Sequence, residues 1–254
     1  MTRLLLVLGL GAVLAEIVLA MRQDEKQRSW MAVGKLIVTL FAVANLVIVV
    51  YLFVNHVGFP LNLETMEGTI LQHFQRAAAF KPIYTNAAPD FVPFAYNPFY
   101  YVVSIPFGLI FGVNLVTLRL VSILAFIGSA VILYAVIQRR TQSVWWALIA
   151  VGLFAAAYRT MDVYLDGAHP DSTFLFFALL GSYLIDRSQS RIWNWLGVVC
   201  LLLSFWTKQH GALFVIGGLL FATVATLYFV PIIFAMIRRS KTPTIPTPEV
   251  VHEP

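Results

Sequence analysis

The strongest constraint on this chain is a series of apolar runs, each cut off by a short polar and often basic segment. The runs are Leu4–Met21, Met31–Val54, Leu118–Gln138, Val144–Ala157, Thr173–Ile185, Ile192–Trp206 and Gly211–Ile237. A helix rises about 1.5 Å per residue, so roughly 20 apolar residues cross a hydrocarbon core about 30 Å thick. Composition excludes burial of all this surface in one soluble core. The chain is 60% hydrophobic and 11% charged, whereas soluble domains carry about 25% charged residues. These features predict an all-α integral membrane protein of about seven transmembrane helices, with a long outer loop carrying interfacial helices. The runs at 173–185 and 192–206 are short and need polar flanks or local bilayer thinning to cross. Glu16, inside the first run, is expected to face the bundle.

Charge sets the expected orientation, because basic residues are retained on the cytoplasmic side. With the N-terminus outside, eleven of the seventeen Lys and Arg fall on inner segments: Arg22, Lys26, Arg28, Lys35, Arg139, Arg140, Arg187, Arg191, Arg238, Arg239 and Lys241. Six fall outside: Arg3, Arg76, Lys81, Arg119, Arg159 and Lys208. The C-terminus is then cytoplasmic. The basic residues are scattered over short loops, which argues against a nucleic-acid surface. Cys200 stands alone in an apolar run and supplies neither a disulfide framework nor a zinc spacing.

The segment Phe59–Arg119 differs from its surroundings. It carries Glu64, Glu67 and Arg76, followed by an aromatic run with Tyr96, Tyr100 and Tyr101. Tyrosines of this kind suit the headgroup level of a bilayer, and they are expected to anchor the loop there. Residues 98–112 are apolar but short and broken by Pro106, which predicts an interfacial or re-entrant piece. Two further outer segments bring Arg159, Asp162, Asp166, His169 and Asp171, then Lys208, Gln209 and His210. Acids and bases from three distant segments thus share one membrane face. Carboxylates there could take a proton from a hydroxyl or bind a divalent cation, and Arg or Lys could hold a phosphate. Each also has a plainer role. Glu64 and Glu67 fit an acidic face of a short helix, Asp171 a helix cap, Lys208 a snorkelling side chain, and the histidines headgroup-level polar residues.

The order Glu67-Gly68, Arg76, Lys81-Pro82-Ile83-Tyr84, FVPFAYNPFYYVVS and TLRLVS, with a span closing on Arg139-Arg140, resembles the first outer loop of the glycosyltransferase C superfamily. The closest resemblance is to protein O-mannosyltransferases and lipid A aminoarabinose transferase. The segments VYLDGAHPDSTF and LSFWTKQHGALF are similar to later pieces of the same group. The resemblance implies a polyprenyl-phosphate sugar donor and a hydroxyl acceptor (lipid, glycan or protein) at the outer face of a bacterial inner membrane. It implies Glu67 and Asp166 as catalytic residues, with Glu67 the general base. Glu64, Arg76, Arg159, Asp171, Lys208, Tyr96 and Tyr100 would bind substrate, Lys208 and Arg159 steadying the phosphate. No metal ligand set is implied. Met66 and His169 depart from the Asp and Arg usual at those places, and family members run to about twice this length.

Residues 215–241 instead resemble the last helix of resistance-nodulation-division efflux pumps. The expected organisation is an extra helix and basic loop at 1–30 and a truncated transferase-like membrane domain at 31–214 with outer loop 55–117. A pump-like helix at 215–241 and a disordered Pro/Thr-rich tail at 242–254 follow. The alternatives to a transferase are an inactive truncated or recombined fragment, or a small transporter-related membrane protein.

Overall fold

The computed structural model describes residues 25–88, 91–94, 96–187 and 190–210. Its elements are α1 (Glu25–Val57), α2 (Glu67–Ala78), α3 (Phe99–Phe111), α4 (Leu115–Thr141), α5 (Val144–Ala156), α6 (Tyr158–Met161), a 3-10 turn (Asp162–Leu165), α7 (Asp171–Arg187) and α8 (Arg191–Thr207). The fold is all-α, and α1 already begins within the segment expected to be a basic loop.

Among the described residues, three stretches are long and apolar enough to cross a membrane: Trp30–Val57, Leu115–Thr141 and Val144–Leu165, of 28, 27 and 22 residues. This corrects the expectation of about seven transmembrane helices. The runs expected at 173–185 and 192–206 lie in α7 and α8, each of 17 residues, or roughly 26 Å of helix. Their apolar parts are shorter still, because α7 opens on Asp171-Ser172 and closes on Asp186-Arg187, and α8 opens on Arg191. Neither holds a bilayer-length apolar window. The runs Leu4–Met21, with Glu16, and Gly211–Ile237, with the tail, lie outside the described residues. The span expected at Val144–Ala157 continues through α6 and the 3-10 turn to Leu165.

The spans carry the mark of helices in lipid. On α1, Val38, Ala42, Val49 and Phe53 are buried, while Leu36, Leu40, Val47, Val50 and Val54 remain exposed. A helix with large apolar residues on every side needs an apolar surrounding. Helix α5 packs between α1 and α4. A Cβ on Gly152 would collide with Ala42, so α1 and α5 touch backbone to backbone. Helices α7 and α8 meet in the same way, where a Cβ on Gly181 would lie 2.7 Å from the Gly197 carbonyl oxygen. Small residues permit such close packing of membrane helices.

The two ends of α4 have opposite characters. At its C-terminus, Arg139 and Arg140 pair with Asp186 on an exposed surface. At its N-terminus Gly112, at φ +84°, turns the chain out of α3, and the Asn114 side chain accepts a hydrogen bond from Thr117 N at 3.0 Å. Here the loop 55–117 folds back on the bundle. Ile70 and Phe74 of α2 pack with Tyr100 and Tyr101 of α3 and Leu118 and Val121 of α4. Tyr100 and Tyr101 are therefore core residues and do not reach a headgroup layer. The Tyr100 hydroxyl donates to Leu118 O at 2.9 Å and lies 3.0 Å from Ser122 Oγ. The expected substrate contact by Tyr100 is corrected on the same ground.

Candidate functional site

Glu67 is the first residue of α2 and is wholly buried. Glu64 lies before that helix, so the two acids do not form one helical face. Burial alone would leave the Glu67 carboxylate costly, and Arg119, equally buried, meets it side-on. Arg119 Nε donates to Oε1 at 3.0 Å and Nη2 to Oε2 at 2.6 Å. The other donors of the guanidinium go to the carbonyls of His56 (3.0 Å), Phe59 (2.5 Å) and Leu61 (2.7 Å). Glu67 also accepts from Leu63 N and Ala168 N, each at 2.7 Å. Arg119 thus uses all five N–H donors, and both Glu67 oxygens accept twice. Burial pushes the Glu67 carboxyl up. The hydrogen bonds from Arg119, Ala168 and Leu63, with the Arg119 charge, outweigh burial and hold it below the ordinary range. A carboxylate so occupied has no lone pair to offer a substrate proton, which corrects its assignment as general base. It is a positioning residue.

What Glu67 positions is the loop 166–171. A Cβ on Gly167 would lie 2.5 Å from Val163 O and 3.2 Å from Glu67 Oε1, so glycine lets the Ala168 amide reach the carboxylate. Ser122 Oγ donates to His169 O and ties the loop to α4, while Ser172 Oγ donates to Leu165 O and draws the loop's two ends together. Asp166 and Asp171 then point to different clusters.

On one side of Ala168, buried Asp166 lies with Oδ2 at 2.8 Å from His56 Nδ1. Its Oδ1 accepts the Tyr158 hydroxyl at 2.7 Å. Burial raises the Asp166 carboxyl above the ordinary range, partly offset by these two hydrogen bonds. His56 is 22% exposed in its side chain. Nδ1 is turned to the carboxylate, and among the described residues Nε2 is not a buried unpaired atom.

On the other side, His169 Nε2 lies 2.7 Å from Glu64 Oε1, and Lys208 Nζ donates to Asp171 Oδ1 at 2.6 Å. His169 Nδ1 and Asp171 Oδ2 face each other at 3.6 Å, and both are buried without a hydrogen-bond partner among the described residues. Burial pushes Asp171 up, but the His169 and Lys208 contacts outweigh it and hold the carboxyl below the ordinary range. Tyr96 and Tyr164 pack edge-on against the His169 ring, and Lys208 Nζ sits 5.7 Å over the Tyr96 ring. Burial, with Asp171 nearby, pushes the Tyr96 phenol up to about 12. Lys208 and Asp171 are only 16% and 26% exposed in their side chains.

The structure therefore brings together Glu64, Tyr96, His169, Asp171 and Lys208, with Asp166 on the other face of one short loop. It leaves out two expected members. Arg76 is at the far end of α2, where Nε donates to Pro82 O and the guanidinium covers the Phe91 ring. Arg159 turns back along α1 to Asn45 Oδ1 at 3.2 Å. Sequence reasoning missed His56, Tyr158 and Arg119 as members. The available signals were a histidine closing an apolar run and an arginine one turn inside the next.

Among the described residues, no group of three or more His, Cys, Asp and Glu is arranged to hold a metal ion. Fold and site together define a helical, membrane-embedded protein with a buried ionic loop at one end of its spans. No family model, curated protein or solved structure matches the chain.

Proposed function

We propose that the chain is a membrane glycosyltransferase that moves a sugar from a polyprenyl phosphate to a hydroxyl. The observation that supports this best is the chain of contacts Glu64–His169–Asp171–Lys208, built by three segments distant in sequence. It lies at the opposite end of α4 from Arg139 and Arg140. Arg119 and Arg140 are 21 residues apart along one helix, or roughly 31 Å, about one hydrocarbon thickness. The basic end is then cytoplasmic and the site end faces out, across a bacterial inner membrane.

Lys208 and Tyr96 receive the phosphate, Lys208 exchanging Asp171 for a phosphate oxygen. Asp171, Glu64 and His169 are left to meet sugar hydroxyls. The bond from the sugar to the phosphate oxygen breaks, and the phosphate keeps the electron pair next to the Lys208 charge. The acceptor oxygen bonds to the sugar and its proton passes to His56 Nε2, with Asp166 steadying the imidazolium. Glu67 and Arg119 hold the loop between the two halves.

The test is label transfer by the purified full chain from polyprenyl-phosphate hexoses and pentoses to a membrane lipid extract. Transfer that falls by about 10²–10⁴-fold in His56→Ala is the expected result. Absence of transfer from every donor, with the chain folded, contradicts the reading.

A further inference from the structure

An apolar crevice of about 510 Å³ opens between α1, α4 and α5, with Val50, Phe53, Val54, Phe126, Ile127 and Leu148 among its walls. Its size falls in the usual range of about 300–1,000 Å³ for small-molecule sites. The stripe of α1 that lines it, Val49 and Phe53, continues one turn on to His56. The stripe of α4, Ile123 and Phe126, leads back one turn to Arg119. One turn beyond these apolar walls stands the His56–Asp166–Tyr158 cluster, whose Tyr158 packs edge-on against the wall residue Phe53.

The chemistry at that end selects the headgroup. Every N–H of Arg119 is already bonded to Glu67 and three carbonyls. Lys208 belongs to the other half of the loop, on Asp171. The partly exposed group is the His56 imidazole, whose Nδ1 is backed by the buried Asp166 carboxylate, which leaves Nε2 for a ligand. Among the described residues, a phosphate there would meet that carboxylate with every Arg119 donor already committed, whereas a hydroxyl needs only one acceptor.

We propose that the crevice binds the chain of an uncharged, hydroxyl-bearing lipid, and that its hydroxyl donates to His56 Nε2. This deepens the transferase reading, on which it rests for the lipid's role as sugar acceptor. The phosphate-bearing donor occupies the Lys208 half.

The test uses the full chain in nanodiscs and a hexadecanol carrying a mid-chain diazirine. Photolabelling is expected within 49–54 and 123–131, with hexadecanol competing at least about tenfold better than hexadecyl phosphate. Loss of one hydrogen bond predicts roughly three- to tenfold weaker labelling in His56→Ala, and His56→Gln should retain most of it. Val54→Trp, at an exposed wall position, should abolish labelling without unfolding the chain. Equal or better competition by hexadecyl phosphate overturns the proposal. So does labelling that neither compound displaces, since bulk bilayer or another part of the chain then covers the crevice. Alcohol binding without sugar transfer supports the proposed lipid site and contradicts only the enzyme. Sugar transfer to a soluble acceptor, with no alcohol labelling, overturns only the lipid site.

Discussion

Two ionic groups meet the loop 166–171 a few residues apart, at Ala168 and at His169 and Asp171, and they are built in opposite ways. Glu67 and Arg119 are fully buried and every donor and acceptor is used. Lys208, Asp171, His169 and Glu64 are joined in a line, partly open, with two buried atoms still unpaired. A saturated ion pair holds a structure and has nothing left for a ligand. An unsaturated one can exchange partners. The difference teaches that a buried carboxylate in a promising loop is recognised as functional by its spare valences, and burial alone is no guide.

Breaking the saturated pair should produce the largest effect. Glu67→Gln leaves Arg119 charged and buried, and removing one partner of such a pair costs about 3–5 kcal/mol. Thermal unfolding in detergent should record that loss. Replacing both residues by Leu and Met should not restore stability, because Arg119 also serves the carbonyls of His56, Phe59 and Leu61. A fully stable Glu67→Gln would return Glu67 to the list of available bases.

Gly167→Ala tests the same pair from the loop side. The added methyl crowds Val163 O and Glu67 Oε1, and overpacking of this kind costs about 1–3 kcal/mol. Lys208 should become easier to label with an amine reagent as the loop shifts. Unchanged stability and unchanged labelling would mean that Glu67 does not set the loop.

A pH effect sharpens the contrast further. His73 is buried, with Nδ1 on Thr69 O at 2.8 Å and Nε2 accepting from Phe94 N at 2.9 Å. Accepting at Nε2 requires the neutral ring. Burial lowers the His73 pKa, only partly offset by the Thr69 bond. A depressed folded value means that its contribution is complete above the unfolded value and is lost as pH falls through the folded one. Exchange of the Phe94 amide, corrected for its intrinsic rate, should therefore quicken as pH falls below about 6.5. Glu67, also depressed, should hold Ala168 unchanged until pH falls below the ordinary carboxylate range. Parallel loosening of both amides would deny them separate anchors.

The smallest effect is expected at the other end of α4. Asp186→Ala removes exposed pairs with Arg139 and Arg140, and such pairs contribute about 0–1 kcal/mol. A loss as large as that of Glu67→Gln would erase the distinction between the two ends.

Much of this arrangement was legible in the residues. Met31–Val54 and Leu118–Gln138 read as spans because their apolar length has no soluble explanation. The gathering of Glu64, Asp171 and Lys208 at one end followed from which segments shared a membrane face. The count of seven fails at 173–185 and 192–206, two short runs whose polar flanks were expected to complete a crossing, because Asp171, Asp186, Arg187 and Arg191 lie within the 17 residues of α7 and α8 themselves. The role of Glu67 was hidden for a different reason. Its partner stands 52 residues away, at the start of a run where Arg119 looked like a flanking charge. His56 was hidden likewise, as the end of a helix, until folding set Asp166 beside it across 110 residues. Periodicity and composition carry no information about such pairings.

The central claim is that the line through Lys208 exchanges partners with a phosphate while Glu67–Arg119 does not. Its most direct test is equilibrium binding of a polyprenyl phosphate to the full chain in nanodiscs, comparing the natural sequence with Lys208→Met. A charge-assisted hydrogen bond is worth about 1.5–3 kcal/mol, so the variant should bind roughly ten- to a hundredfold more weakly while still unfolding cooperatively. Equal affinity in a folded Lys208→Met would contradict the account.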